Sequence, residues 1–171
     1  MEVRSVEAII GGWNQAGVKY LIAGGLAVVA YGYMRLTVDV DAILEFEAEN
    51  LSRALQVLEG LGYTPRVPVS LPDLADEEKR RVLRDERNML VLSFSSYGSQ
   101  HRMTEVDIFV DQPLDFASAY ERAQRLPLPS GMVATCVSLR DLLDLKRRAG
   151  RPQDLADIDQ LSQIYPEERR P

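Results

Sequence analysis

Residues 20–44, YLIAGGLAVVAYGYMRLTVDVDAIL, constrain the fold more than any other stretch of this chain. The apolar, β-branched run VKYLIA reads as a short buried strand that ends in Gly24-Gly25. A helix is expected to start at those glycines and run through LAVVAYGYM, and TVDVDAIL then forms a second strand. Strand side chains alternate faces, so Asp39 and Asp41 share one side while Val38, Val40 and Ala42 share the other. Two ionised carboxylates so close repel, and each resists removal from water. Either that face is solvated or a cation holds the pair. Mg²⁺ suits the second case, because it takes oxygen ligands, keeps several waters and is commonly held by one or two carboxylates with substrate phosphates.

The rest of the chain supplies alternating helices and strands. Val6, Ile9, Ile10 and Trp13 recur at helical spacing before Gly17, and Leu51, Leu55 and Leu58 do so before Gly60 and Gly62. Residues 63–88 are proline-rich at first and then charged, which predicts a surface excursion with one short solvated helix at EEKRRVLRDER. MLVLSFS and TEVDIFV read as a hairpin around the polar loop SYGSQHR, residues 115–124 as a helix, and MVATCV as a strand. Two helices close the chain. Ser138 caps the first and Gly150 ends it; Pro152 opens the second, with Leu155, Ile158 and Leu161 expected on its inner face. The pattern predicts a single α/β (α+β) domain over 1–171: a small mixed sheet flanked by helices over 1–137, and a C-terminal helical hairpin over 138–165.

Composition narrows the function classes. A net charge of −6 argues against a protein that coats nucleic acid, although a local basic path remains open. The lone Cys136 allows no internal disulfide and no cysteine-based zinc site, and reads as a small buried side chain. The N-terminus lacks the apolar core of a signal peptide, and the longest apolar run is too short and glycine-broken to span a bilayer. A soluble, reducing, cytoplasmic setting is the expectation.

Three neighbours give the aspartate pair more meaning. Gly24-Gly25 opens a helix, where backbone N–H groups can approach a phosphate. Asp107, between Val106 and Ile108 in EVDIFVD, could bring a third carboxylate from a neighbouring strand. Arg35 and Thr37 stand just ahead of the pair, where a cation and a hydroxyl could meet a phosphate or orient a carboxylate.

Gly24-Gly25, thirteen intervening residues, Asp39-Val40-Asp41 and a distal Asp107 resemble the nucleotidyltransferase superfamily of the DNA polymerase β type. With the ending LKRRAGRPQDLADIDQL, the stretch YLIAGGLAVVAYGYMRLTVDVDAIL is similar to the small bacterial nucleotidyltransferases of the AbiEii-like and DUF6036-like groups. The resemblance implies a nucleotidyltransferase fold. It implies that Gly24 and Gly25 lie against a triphosphate, and that Asp39, Asp41 and Asp107 hold Mg²⁺ (or Mn²⁺) in a two-metal site. It implies transfer of an NMP group from an NTP, ATP among the candidates, to an acceptor: a tRNA 3′ end, a protein hydroxyl or a small molecule. Asp107 would also help deprotonate an acceptor hydroxyl. Toxin-type relatives imply a cognate antitoxin as partner. The alternative is a non-catalytic nucleotide-binding or antitoxin-like protein that keeps the fold.

Of the ending, Lys146 and Asp154 are candidates to line the nucleotide pocket, while Arg151, Asp154 and Asp157 could equally pin the helical hairpin. Tyr31 stands where some relatives carry a histidine. The only histidine, His101, lies in a polar loop and reads as a surface residue, so no histidine-based metal site or catalytic triad can be assembled.

Overall fold

The computed structural model describes residues 2–98 and 100–169; Met1, Ser99 of the hairpin loop, Arg170 and Pro171 lie outside the described residues. Seven strands form one mixed sheet: β1 (Tyr20–Ile22), β2 (Asp39–Leu44), β3 (Tyr63–Pro65), β4 (Val91–Ser96), β5 (Glu105–Phe109), β6 (Gln124–Pro127) and β7 (Val133–Cys136). Their spatial order is β3-β4-β5-β2-β1-β7-β6. β1 pairs antiparallel with β2, β2 parallel with β5, and β1 parallel with β7.

Helix α1 (Val3–Gln15) packs on α3 (Ala48–Gly60), with Trp13 Nε1 donating to the Ala54 carbonyl across 3.3 Å. Helix α2 (Gly24–Ala30) packs on β2 and on α6 (Leu139–Ala149), which in turn packs on α7 (Pro152–Ile164). A short α4 (Glu77–Arg81) and α5 (Phe116–Glu121) lie in the connections. β1 is buried along its whole length; β4 and β5 alternate buried and half-buried positions, and β2 does so over Asp39–Ala42 before Ile43 and Leu44 are both buried. That alternation is the mark of a sheet covered by apolar side chains on one face and open on the other. The aspartates stand on the open face.

The expected α/β architecture with its helical hairpin is observed, but α2 ends at Ala30 rather than running through Met34, and the helix expected over 115–124 is Phe116–Glu121, with Gln124 already in a strand. Two strands were not anticipated. β3 and β6 are the sheet edges, and each carries a proline, Pro65 and Pro127, which a central strand would not tolerate. Short, largely exposed and proline-bearing, they lack the apolar alternation that reveals a strand. In the charged excursion, a 3₁₀ turn over Leu71–Ala75 precedes α4, whose N-cap Asp76 accepts from the Glu78 and Lys79 N–H groups at 2.9 and 3.2 Å. Leu71, Leu74 and Leu83 are buried beneath its solvated charges.

Helix α6 starts and stops where expected: the Ser138 hydroxyl accepts from the Asp141 N–H, and Gly150 adopts φ +63°. On α7 the expected inner face is only partly right. Leu161 is buried and Ile158 half-buried, but Leu155 is 57% exposed, and Asp154 and Asp157 take the inner positions. Tyr31 has a structural role: its hydroxyl donates to the Val137 carbonyl at 2.8 Å, and Tyr165 donates to the Tyr31 carbonyl at 3.1 Å. Cys136 is fully buried as expected. His101 is not a free surface residue, since it stacks on Tyr63 with ring centroids 5.9 Å apart and its Nδ1 lies 3.0 Å from the Ser5 hydroxyl. Among the described residues, no helix is long and apolar enough to cross a membrane.

Asn50, fully buried, ties α3 to the β1–β2 pair. Its Oδ1 accepts from the Lys19 N–H at 2.8 Å, and its Nδ2 donates to the carbonyls of Lys19 and Glu45 at 3.0 and 3.1 Å. Asn50→Ala would remove the side-chain partners of the Lys19 N–H and the Glu45 carbonyl, while the Lys19 carbonyl keeps the Glu45 N–H at 3.3 Å, so urea denaturation should show a loss of about 1–3 kcal/mol.

Candidate active site

Two adjacent strands build the site. β2 and β5 run parallel in a register that pairs Asp41 with Asp107 and Asp39 with Glu105. Side chains at paired positions lie on the same face, so Asp41 and Asp107 stand side by side on the open side of the sheet, with Asp39 two residues away. Burial, then the nearby Asp107 and Asp39 charges, push the Asp41 carboxyl up to about 6, with the Gly25 N–H and the Lys146 cation opposing the rise. Burial first, then Asp107 and Glu105, raise Asp39 as well. Asp107 Oδ1 is buried with no hydrogen-bond partner among the described residues.

The glycines make room for this arrangement. Gly24 has φ +55°, and a Cβ there would overlap the Asp41 carboxylate. A Cβ on Gly25 would overlap the Thr37 hydroxyl and lie 2.9 Å from Arg35 Nη2. Gly24 therefore borders the acids, while Gly25 is buried beneath Thr37 and Arg35.

Above the sheet lies a cleft of about 390 Å³. Asp41, Asp107, Gly24, Lys146 and Asp154 line its polar side, together with Arg151 at the start of α7. Leu90, Val91, Phe109, Leu142 and Leu145 form an apolar wall. Lys146 is almost fully buried, and its Nζ donates to Asp154 Oδ1 at 3.2 Å and Asp157 Oδ2 at 2.7 Å. The Asp154 carboxylate also accepts from the Arg151 backbone N–H and Nε, at 3.3 and 2.8 Å. The cations Arg151 and Lys146 hold Asp154 below the usual carboxylate range despite its burial.

Of the residues singled out from sequence, Gly24, Asp41, Asp107, Lys146 and Asp154 meet at this cleft, and Asp39 shares their face. Arg35 and Thr37 do not line it; Arg35 instead pairs with Asp157, its Nε 2.8 Å from Oδ1. The apolar wall left no signal in the sequence, because it gathers residues from the start of β4, the end of β5 and one face of α6.

The donor set suits a hard divalent cation: carboxylate oxygens only, one of them buried without a hydrogen-bond partner among the described residues, with Asp41 raised by burial and by its Asp107 and Asp39 neighbours. Among the described residues, no group of three His, Cys, Asp or Glu side chains is placed to hold a metal ion, so Asp39, Asp41 and Asp107 do not converge as a three-ligand set. An open pair of carboxylates leaves the remaining coordination positions to phosphate oxygens and water, as Mg²⁺ commonly requires.

Solved structures share this architecture. The lincosamide antibiotic adenylyltransferase LnuA, in its lincomycin-bound crystal structure, matches with a TM-score of 0.64 at 16% identity, over 96% of this chain and 98% of that one. The fold is that of the nucleotidyltransferases. The antibiotic-resistance factor ANT(2'')-Ia matches with a TM-score of 0.62 at 13% identity, over 97% of this chain and 85% of its own. JHP933 from Helicobacter pylori gives 0.55 at 15% identity, over 96% and 66%. At such identities the likeness is one of fold. No protein-family model matches the chain, and no curated protein sequence does.

The raised Asp41 carboxyl fixes a sign. The folded state holds that proton more tightly than the unfolded state does. The stability it contributes is thus present below the ordinary carboxylate range near 3.8 and lost as pH rises through about 6. In EDTA, thermal melts should show wild type losing about 1–3 kcal/mol between pH 4 and 7, and Asp41→Asn should remove most of that loss. Gly24→Ala should lower the melting temperature at every pH, because the new methyl displaces Asp41.

Proposed function

We propose that this protein is a metal-dependent nucleotidyltransferase that moves an NMP group from an NTP to an acceptor hydroxyl and releases pyrophosphate. One observation carries the reading: Asp41 and Asp107 in register on the open face of a nucleotidyltransferase fold, beside Asp39 and under a cleft. Mg²⁺ or Mn²⁺ held by Asp41 and Asp107, beside Asp39, would supply charge neutralisation at the triphosphate and at the attacking and leaving oxygens. Gly24 leaves the backbone open to a phosphate, and Lys146 offers it a buried cation. Arg151, whose side chain is 77% exposed, stands at the rim where it can close on the leaving pyrophosphate. As the acceptor oxygen bonds to the α-phosphorus and the bond to pyrophosphate breaks, the hydroxyl proton passes to Asp107, whose Oδ1 has no hydrogen-bond partner among the described residues.

For the acceptor we adopt a small hydroxylated molecule. Two features support this choice. The cleft has an apolar wall suited to an uncharged ring system, and a net charge of −6 disfavours a polyanionic acceptor. Two of the structural neighbours are named for antibiotics and match over most of their length. The second reading is a toxin-type AbiEii-like or DUF6036-like enzyme with a tRNA 3′ end or protein hydroxyl as acceptor and a cognate antitoxin as partner. In its favour, Lys146, Asp154 and Asp157 of the terminal motif form one buried cluster.

The test is incubation with α-labelled NTPs and Mg²⁺, in parallel with a panel of hydroxylated antibiotics, total tRNA and a protein extract. Label should move to a small molecule and fall more than about 100-fold in Asp41→Ala and Asp107→Ala. Label on tRNA or protein selects the toxin-type reading. Calorimetric binding of Mg-NTP without turnover indicates a binding protein, and label that still moves in both variants rules out this chemistry.

A further inference from the structure

The electrostatics around Lys146 reach further than the cleft. Asp157 is fully buried on α7, three residues after Asp154 and on the same helical face. Its Oδ2 accepts from Lys146 Nζ at 2.7 Å and from Arg35 Nη2 at 3.0 Å, and its Oδ1 accepts from Gln153 Nε2 at 3.1 Å. Arg35 Nη1 reaches back to the Leu36 carbonyl at 2.9 Å, so the guanidinium is fixed between α7 and the loop ahead of β2. Asp154 and Asp157 therefore each carry Lys146 plus one arginine: Arg151 on Asp154 and Arg35 on Asp157.

An ammonium has three N–H donors. Two of those on Lys146 go to the α7 aspartates, which leaves one for the cleft it lines beside Asp41. Buried ion networks are often no more stabilising than apolar side chains of similar volume. Here, moreover, Leu155 is left 57% exposed while two aspartates occupy the inner face of its helix. Such an arrangement makes sense where the position of a charge matters more than stability.

We infer that Asp157 is a positioning residue of the proposed nucleotidyl transfer, holding Lys146 so that its remaining N–H faces the triphosphate and tying it through Arg35 to the loop that covers Gly25. The inference rests on the nucleotidyltransferase reading of the cleft. Asp157 does not itself border the cleft; it acts through Lys146.

The test measures binding of each of the four Mg-NTPs by calorimetry, and steady-state transfer, in wild type, Asp157→Asn, Lys146→Met and the double variant. Asp157→Asn should weaken NTP binding and raise KM by about 10–100-fold, with the loss falling on KM rather than kcat. The double variant should bind no more weakly than Lys146→Met alone, since Asp157 acts through the lysine. A lowered melting temperature with unchanged KM, or losses that add in the double variant, would overturn the inference and leave the nucleotidyltransferase reading standing. Wild type that binds no NTP would instead remove both. Where Asp157→Asn does not fold, Asp157→Glu keeps the charge and shifts it by one methylene; a raised KM at near-native melting temperature supports the inference, and an unchanged KM overturns it.

Discussion

Asp41 and Asp107 stand side by side because β2 and β5 run parallel in a register that pairs them, and that repulsion organises much of what surrounds them. Both are half-buried, with Asp107 Oδ1 out of reach of solvent, and Asp39 adds a third carboxylate on the same face. The other face of these strands is packed with Val40, Ala42, Val106 and Ile108, all fully buried, so a one-residue slip would bury the acids and expose the core. The hydrophobic effect thus holds the acids together against their own electrostatics. Gly24 answers the steric part of the problem, since no other residue leaves space for the Asp41 carboxylate at φ +55°.

The electrostatic part is answered from the far end of the chain. Lys146 comes from α6 and its anchoring aspartates from α7, yet both helices lean on the same cleft as the β2 and β5 acids. The hairpin is fixed to the rest by both polar and apolar contacts: the Arg122–Asp141 pair at 2.7 Å, the Tyr165–Tyr31 edge-to-face contact at 6.0 Å, and the Arg35–Asp157 pair. A cation held there by neighbouring anions is fixed in place, which is the condition for meeting a polyphosphate without reorganisation. Leu142 and Leu145 come from the same helix as Lys146, so the cleft sets apolar side chains close beside its charges.

Much of this was legible in the sequence, for identifiable reasons. The acids of β2 and Asp107 of β5 could be placed because a period of two fixes a strand's faces without knowledge of its neighbours. Ser138, Gly150 and Pro152 could be placed because caps and stops are local chemistry. Leu155 and Asp157 could not, since helical periodicity assigned the inner face to leucine while a buried lysine from another helix reversed the choice at that end. The edge strands β3 and β6 were hidden for a related reason: their prolines and exposed side chains are explained only by a position at the rim of a sheet.

By itself the sequence determined the order of the helices and of the five inner strands, the one-sided burial of β2 and β5, and the presence of three acids and a glycine pair at spacings that suit a metal and a phosphate. Those follow from backbone periodicity and short-range sterics, which act within a few residues. Only the tertiary structure decided that Asp41 faces Asp107 rather than Glu105, that Gly25 is covered by Thr37 and Arg35, and that Lys146 is gripped by Asp154 and Asp157 beside an apolar wall. Strand register, the docking of the hairpin and the pairing of buried charges depend on contacts between residues as far as 134 positions apart along the chain. Such contacts exist only once the core has closed.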